Sequence, residues 1–315
     1  MAQIICGVDV SSLELEARIG HEGAGCTFAN TADGIVELAA FCQQHDAELV
    51  VMEATGGYEK LAFALLWARC VPVAIINPRA VRRFAQAMGL EEKTDKIDAG
   101  VIAWYSAVKQ VRACTLASAG QQRLQALVTR LRQLTELQVA QKNQRRLVTE
   151  ATVLAAFTQL LALLRTQIRE VETAIAQLIS ADPLWQRLDQ SFRTIKGVAD
   201  RTVSRLMAEM PEIGTLSNKA IAKLAGVAPL AQDSGKKQGK RTVRGGRRTV
   251  RDILYVVAGV VRLYDPDFAA FHQRLSEAGK PKKVIRIALA HKLLVRLNAK
   301  ARQVRESQVL VFVSN

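Results

Sequence analysis

The sequence predicts an α/β layer domain followed by a longer helical region. Three short strand patterns open the chain, and helical and strand patterns then alternate over roughly the first hundred residues. From residue 116 onward, apolar residues recur at helical spacing instead. Consecutive strands followed by alternating helices and strands are typical of a mixed sheet with helices on both faces. We therefore expect domains at residues 1–115, 116–182 and 183–315.

The first domain begins with an antiparallel meander. The apolar run at residues 4–10 predicts a buried central strand, and residues 13–20 and 26–30 carry two further strand patterns. Residues 49–53 and 71–77 predict two more strands. Helical patterns cover residues 32–45, 58–70 and 79–88, and another helix is expected to begin near Asp95. The predicted order is βββαβαβα, followed by that last helix.

Two leucine-rich series mark the middle of the chain. One follows 3,4,3 spacing and the other extends over nearly three heptads; they comprise Leu124, Leu127, Leu131 and Leu134, and Leu161, Leu164, Ile168, Val171, Ile175 and Leu178. Such spacing predicts a coiled-coil seam. The alternative is a helical hairpin packed within its own domain, because the first series ends after two heptads.

Charge is distributed very unevenly along the chain. Residues 1–110 hold 9 Lys and Arg against 14 Asp and Glu, whereas the whole chain has a net charge of +15. The basic excess therefore lies in the second part, where residues 232–251 contain 8 basic residues and read as a mobile basic loop leading into a helix. An excess of this kind suits a nucleic acid, and the alternative is a merely soluble basic surface.

Several functional classes are disfavoured. The five cysteines show no CxxC spacing and the four histidines form no cluster with them, so neither a disulfide framework nor a zinc site is expected. The apolar runs are shorter than the ~20 residues of a membrane span, and the first residues lack the basic region of a signal peptide. We expect a cytoplasmic protein without a membrane partner.

Four acidic residues are placed where they can converge. Asp9 lies late in the apolar first strand, where an ionised carboxylate is costly unless it is paired or binds a cation. Glu53 closes a later strand at its carboxyl end, where open α/β sheets bind ligands. Asp95 and Asp98 lie three apart on one helix face. Complementing the helix dipole is the alternative role for this last pair.

Four close carboxylates require compensation. Each pair repels by roughly 4 kcal/mol at a separation of about 4 Å and an effective dielectric constant near 20. Divalent cations supply the counter-charge, and an all-oxygen shell suits Mg²⁺ or Mn²⁺. Two such ions can stabilise the attacking and leaving oxygens of a phosphoryl transfer. Together with the basic remainder of the chain, this constellation predicts cleavage or exchange of a phosphodiester.

One unrelated class shares this beginning. Actin-like and sugar-kinase ATPases also place an aspartate in a first strand of a similar fold. They need glycine-rich hairpins to cradle the ATP phosphates. The first hairpin here, Val10-Ser11-Ser12-Leu13, contains no glycine, and no second glycine-rich hairpin follows. The sequence therefore disfavours an ATPase.

The motifs themselves resemble a known family. In the first domain they are GVDVSS, MEATGGY, INPRAVRRFAQAMG and KTDKIDA; in the second half they are IKGVADRTVSRLMAEM, LAGVAPLAQDSGKKQGKR and RGGRRTVRDILY. This ordered set is similar to the DEDD transposases of the insertion-sequence family numbered one hundred and ten. The resemblance covers nearly the whole chain. It implies an RNase H-like, RuvC-like nuclease domain, a coiled-coil helical segment and a mostly α-helical transposase domain.

The resemblance also implies site residues and partners. It assigns Mg²⁺ binding to Asp9, Glu53, Asp95 and Asp98, and the attack on DNA to Ser234, which would form a covalent phosphoserine link. It further implies a structured bridge RNA that pairs with donor and target DNA. Assembly as dimers and tetramers, with active sites shared between subunits, is part of the same expectation.

The basic loop around Ser234 suits this role. A serine hydroxyl is a weak nucleophile that needs a base or a metal ion, and no histidine lies near Ser234 in sequence. The expected phosphate-binding residues are Lys236, Lys237, Lys240, Arg241, Arg244, Arg247 and Arg248. The lysine-rich spacing after Ser234 is longer than in the family, so which of these contacts the scissile phosphate stays open.

The acidic constellation and the resemblance together predict a transposase with Mg²⁺-dependent strand exchange; that the exchange proceeds through serine and is guided by RNA is what the resemblance implies. Two alternatives remain. The first is a RuvC-like structure-specific endonuclease that uses water as its nucleophile. The second is a non-catalytic, nucleic-acid-binding coiled-coil protein.

Overall fold

A computed structural model of the 315-residue chain describes residues 3–90, 95–231, 233–235, 239 and 241–313, with side chains described except at 95–97 and 308–313. The chain divides into two compact units, Met1–Ala117 and Ser118–Asn315.

The first unit is built around a five-stranded mixed sheet. Its strands are β1 (Ile5–Val10), β2 (Glu14–Ile19), β3 (Gly25–Ala29), β4 (Leu49–Glu53) and β5 (Val73–Ile76), in the order β3-β2-β1-β4-β5. β1, β2 and β3 form the antiparallel meander, and β4 lies parallel to both β1 and β5. β1 is therefore central, as its apolar run predicts.

Within the residues that the structure describes, four helices cover the two faces of this sheet: α1 (Ala32–Gln44), α2 (Glu59–Ala68), α3 (Pro78–Ala87) and α4 (Asp95–Lys109). Side chains along a strand point alternately to the two faces of the sheet, so Cys6 and Val8 point to one face and Ile5 to the other. Cys6 and Val8 pack in the cluster that includes residues of α1 and α2, whereas Ile5 packs with residues of α3 and α4. The predicted order of strands and helices is confirmed, and the α/β class with it.

The second unit is helical throughout its described elements. These are α5 (Ala119–Arg145), α6 (Ala151–Ala181), α7 (Pro183–Arg193), α8 (Asp200–Glu209), α9 (Asn218–Ala225), α10 (Arg248–Tyr264), α11 (Pro266–Glu277) and α12 (Lys282–Val313). One apolar cluster, with Phe192 and Phe268 fully buried, extends from Leu124 to Ala301. The predicted boundary at residues 182/183 falls within this unit, where Asp182 caps α7 by accepting a hydrogen bond from the Trp185 amide at 2.9 Å.

The heptad residues of α5 and α6 are used inside the chain. Leu124 and Leu131 of α5, and Leu164 and Ile168 of α6, are buried in the same cluster, and the two helices contact each other along their length. The connection between them is only five residues, 146–150, which makes them antiparallel neighbours. The structure thus contains the helical hairpin that was the alternative, and the predicted coiled-coil seam is not confirmed. By length and composition α6 could cross a membrane, and 17% of its most apolar window is buried in the structure; one such helix among the described residues is weak evidence for a membrane span.

Candidate active site

Two of the predicted metal ligands are neighbours on adjacent strands. β1 and β4 pair in parallel, with Val8 opposite Met52. Continuing this register by one position sets Asp9 beside Glu53, on the same face of the sheet and at its carboxyl edge. Neighbouring strands lie about 4.8 Å apart, so the two side chains begin close together. Both residues are half-buried.

Helix α4 brings Asp98 toward the same edge. Cys114, just beyond α4, donates its amide to the Val73 carbonyl at 2.8 Å, at the start of β5. Trp104, in the middle of α4, stacks on His21, which follows the end of β2 beside the start of β1. The helix therefore runs from the carboxyl edge toward the amino edge of the parallel strands. Asp98, in its first turn, is half-buried.

A glycine in β1 allows this helix to lie close to the strand. A Cβ atom on Gly7 would stand 2.1 Å from the Ala99 carbonyl oxygen and 2.6 Å from the Ala103 amide nitrogen. Gly7 and Asp9 point to the same face, because they are two positions apart in a strand. The close approach of α4 over Gly7 therefore determines how near Asp98 comes to Asp9.

We call Asp9, Glu53 and Asp98 the carboxylate edge. Each of them takes part in at least one polar or electrostatic interaction, and one oxygen of Asp9 accepts the Val10 amide at 3.0 Å. Within the described residues no three acidic, histidine or cysteine side chains are grouped closely enough to hold a metal ion. The side chain of Asp95, the fourth predicted ligand, lies outside the described residues.

A further carboxylate, which sequence reasoning missed, extends the row. Glu16 of β2 is the cross-strand partner of Asp9, so both side chains lie on one face. Its oxygen accepts a short hydrogen bond from the Thr27 hydroxyl on β3. This bond holds the carboxylate toward β3. Knowledge of the strand register, which the sequence does not supply, is needed to find it.

The predicted nucleophile lies on a closed loop of the second unit. Leu230 and Thr242 form an antiparallel bridge, with the Leu230 amide 2.8 Å from the Thr242 carbonyl. Between them, Ser234 is exposed. Gly235 follows it with φ +54°, a left-handed conformation, and a Cβ atom there would meet nothing within 4 Å. We call residues 230–242 the serine loop.

Asp233, next to the serine, links the two sides of this loop. One of its oxygens accepts the Gly239 amide at 3.1 Å, and the other accepts Nη1 of Arg241 at 2.8 Å. The hydrogen bond from Arg241 lowers the pKa of the Asp233 carboxyl below its usual value. The pair lies at the surface, where solvent screens its electrostatic energy. Its main effect is therefore to fix the conformation of the loop.

The predicted phosphate-binding residues have different surroundings. Lys236, Lys237 and Lys240 lie outside the described residues. Arg241 pairs with Asp233, and Arg248 lies 3.6 Å from Asp252 with 84% of its side chain exposed. Arg244 is exposed, and it forms no ion pair within the part of the chain that the structure describes.

Arg247 anchors the segment that follows the serine loop. Both of its terminal nitrogens bind Glu212, each at 2.6 Å, and one also donates to the Glu209 carbonyl at 2.9 Å. Burial opposes ionisation of Glu212, but the hydrogen bonds from Arg247 outweigh it and lower the Glu212 pKa. Gly246 approaches Gly226 so closely that a Cβ atom would lie 2.3 Å from the Gly226 amide nitrogen. The start of α10 is therefore fixed to the helices before the loop.

A small cleft lies beside the first residue of the serine loop. Its volume is about 320 Å³. Lys219, Lys223 and His291 line it together with Leu230. Burial lowers the pKa of His291, which favours the neutral imidazole. No sequence motif points to this cleft, because α9 and α12 meet only in the folded chain.

Two parts of the chain match models of known protein families. Residues 6–153 match a family model for the DEDD transposase of IS110 elements, and residues 189–273 match one described as transposase IS116/IS110/IS902 family. The pilin gene-inverting proteins of Moraxella bovis and Moraxella lacunata are each 30% identical over 318 residues, covering 97% of this chain and 98% of theirs. A Thermus thermophilus RuvC structure is 15% identical, with a TM-score of 0.25, and spans 36% of this chain and 100% of its own.

Proposed function

The chain belongs to the IS110 family of transposases, and we propose that it exchanges DNA strands through a covalent link between DNA and Ser234. Membership makes it a DNA recombinase. We choose Ser234 because of its position in the structure. Its hydroxyl is exposed on a closed loop, and the neighbouring Asp233 links the two sides of that loop. The loop lies inside the segment that matches the second transposase model.

The proposed step conserves atoms and charge. The Ser234 oxygen attacks a phosphodiester phosphorus, a bond between serine oxygen and phosphorus forms, and one phosphorus–oxygen bond of the DNA breaks. The hydroxyl proton passes to a base, and the leaving oxygen of the DNA takes up a proton. A hydroxyl of another strand then attacks the phosphoserine, which joins the new strands and restores Ser234. No energy source is needed, because each bond broken is replaced by an equivalent one.

The proposed mechanism also requires divalent ions in the first unit. DEDD domains of this kind use divalent metal ions, and we propose Mg²⁺ or Mn²⁺ held by Asp9, Glu53, Asp95 and Asp98. The adjacent half-buried carboxylates of Asp9 and Glu53 support this assignment, since two such charges repel without a counter-ion. When bound, the ions would supply charge stabilisation for the attacking and leaving oxygens.

Trapping of the covalent product tests the assignment of Ser234. Purified protein is incubated with Mg²⁺ and labelled DNA that carries the ends of its own element, and the label is followed on a denaturing protein gel. Wild type should retain the label, Ser234→Ala should lose it, and Ser276→Ala, an exposed serine of the same unit, should behave as wild type. Cleavage with free ends that persists in Ser234→Ala would instead establish the water-dependent endonuclease.

A second candidate outcome is inversion of a DNA segment. The two Moraxella relatives are named for inverting a pilin gene, and the chain matches them over almost their full length. The chemistry at Ser234 is the same for excision, insertion and inversion. A plasmid with two element ends in inverted orientation distinguishes these outcomes, because inversion creates two new junctions without loss of the intervening DNA.

We propose a bridge RNA and a second copy of the chain as partners, in the cytoplasm. The resemblance to the family supports the RNA, and co-purification of a defined RNA whose removal by ribonuclease stops recombination tests it. The exposed stripe of Val153, Leu160 and Leu163 along α6 supports a second copy, since large apolar side chains in a row favour association. Leu160→Glu with Leu163→Glu should then shift the mass measured by light scattering toward the monomer.

A further inference from the structure

We propose that helix α3 of the first unit is a DNA-binding surface, on which Arg79, Arg82 and Arg83 hold the sugar-phosphate backbone beside the carboxylate edge. This rests on the DNA recombinase function but not on the identity of the nucleophile. The segment INPRAVRRFAQAMG has no part in the mechanism described above, although it contains this helix.

The arginines form a single stripe along α3. Arg79, Arg82, Arg83 and Gln86 stand at i, i+3, i+4 and i+7, which is one face of a helix. All four are exposed, while Val81 and Ala85 are buried on the opposite face. The stripe extends over about 10 Å at 1.5 Å per residue, enough for roughly three phosphates of one strand.

The stripe begins beside the acidic residues at the carboxyl edge of the sheet. Ile76, the last residue of β5, is the register partner of Glu53, and Pro78 begins α3 two residues later. α3 packs on the same face of the sheet as α4. The stripe therefore starts at the edge that carries the acidic residues, and a strand lying along it would pass close to them.

Charge supports a polyanion as the occupant. Three of the 9 basic residues among residues 1–110 lie on this one helix face, in a region with 14 acidic residues. Within the described residues none of the three arginines forms an ion pair, in contrast to Arg241 and Arg247 of the second unit. Arginine side chains that serve folding are commonly paired, whereas phosphate contacts require them to be available.

The proposal is tested by measuring DNA binding in proteins that also carry Ser234→Ala, so that no DNA is cleaved through that serine. The double variant Arg82→Gln, Arg83→Gln is compared with the matched control Arg69→Gln, Lys109→Gln, which removes the same charge near the amino edge of the sheet. Each lost phosphate contact lowers the slope of log Kd against log salt concentration by about 1. The stripe variant should lower the slope by about 2 and bind DNA roughly tenfold more weakly, and the control should change neither.

Crosslinking locates the contact and identifies the nucleic acid. With the photoreactive residue p-benzoylphenylalanine in place of Gln86, a DNA duplex should crosslink, and with the same residue in place of Lys109 it should not. Equal binding by the stripe variant and the control would overturn the proposal, as would crosslinking to an RNA duplex of the same sequence but not to DNA. Failure of the Ser234 adduct experiment would leave these results unaffected, since both are measured without cleavage.

Discussion

The carboxylate edge of the first unit and the serine loop of the second are built in opposite ways. Asp9 and Glu53 end buried strands, and their positions follow from the register of the sheet. Ser234 lies on an exposed loop. Within the described residues, its conformation rests on the Leu230–Thr242 bridge and on the hydrogen bonds of Asp233. Substitutions in the packing beneath the edge should therefore affect stability and activity together, whereas substitutions in the loop should affect activity alone.

The largest effect is expected at Asp9. In Asp9→Asn a ligand charge is lost, and adduct formation should fall by a factor on the order of 10³, the upper range for a lost electrostatic contact in catalysis. The melting temperature without divalent ions should be unchanged or higher, because one of two neighbouring negative charges is gone. Glu14→Gln, the same change of charge at an exposed position of β2, is the control. Wild-type adduct yield in Asp9→Asn would remove the carboxylate edge from the mechanism.

A smaller effect on activity, together with a loss of stability, is expected at Gly7. In Gly7→Ala the new methyl group would overlap the Ala99 carbonyl, so α4 must move away from β1. The free energy of unfolding should decrease by about 1–3 kcal/mol, the usual cost of overpacking, and adduct formation should decrease with it as Asp98 shifts. Denaturant unfolding measures the first effect. Gly120→Ala in α5, where the nearest atom would lie at 3.5 Å, should show no comparable loss.

The part of the site that the sequence predicts is the part that the sheet determines. Apolar runs identify β1 and β4, and a parallel pair brings Asp9 and Glu53 together whatever the loops do. The closeness of α4 was not predictable, because it depends on a missing Cβ atom at Gly7. Asp233 and Arg241 are eight residues apart in a segment without periodicity, so no pattern indicates their pairing.

The leucine series show a second limit of sequence patterns. A 3,4 spacing produces an apolar stripe, and a stripe packs equally well against a helix of the same chain or of another chain. In the structure the short connection at residues 146–150 favours the partner within the chain. The same spacing therefore predicts the buried face of α5 and α6 correctly, while the identity of the partner depends on the connection.

The Asp233–Arg241 pair provides a test of the loop alone. Asp233→Asn should lower the rate of adduct formation by about tenfold, roughly 1.4 kcal/mol in the barrier, with KM for DNA and the melting temperature unchanged. The exchanged pair Asp233→Arg with Arg241→Asp should recover part of the rate, because the ion pair is restored with opposite polarity. A rate in the exchanged pair no better than in both single variants would show that Arg241 acts on the DNA and not on the loop.

The smallest effect is the pH dependence of the same pair. Arg241 lowers the pKa of Asp233 in the folded chain below its ordinary value of 3.8. For a carboxyl group with a lowered pKa, the stabilising pair is fully present above the ordinary value and is lost as pH falls through the folded-state pKa. The Gly239 amide, which donates to Asp233, reports this transition in an NMR titration. Its midpoint should lie below 3.8 in wild type, rise in Arg241→Gln, and stay unchanged in Arg244→Gln. A midpoint that is the same in Arg241→Gln as in wild type would mean that the hydrogen bond from the Gly239 amide, and not Arg241, lowers the Asp233 pKa.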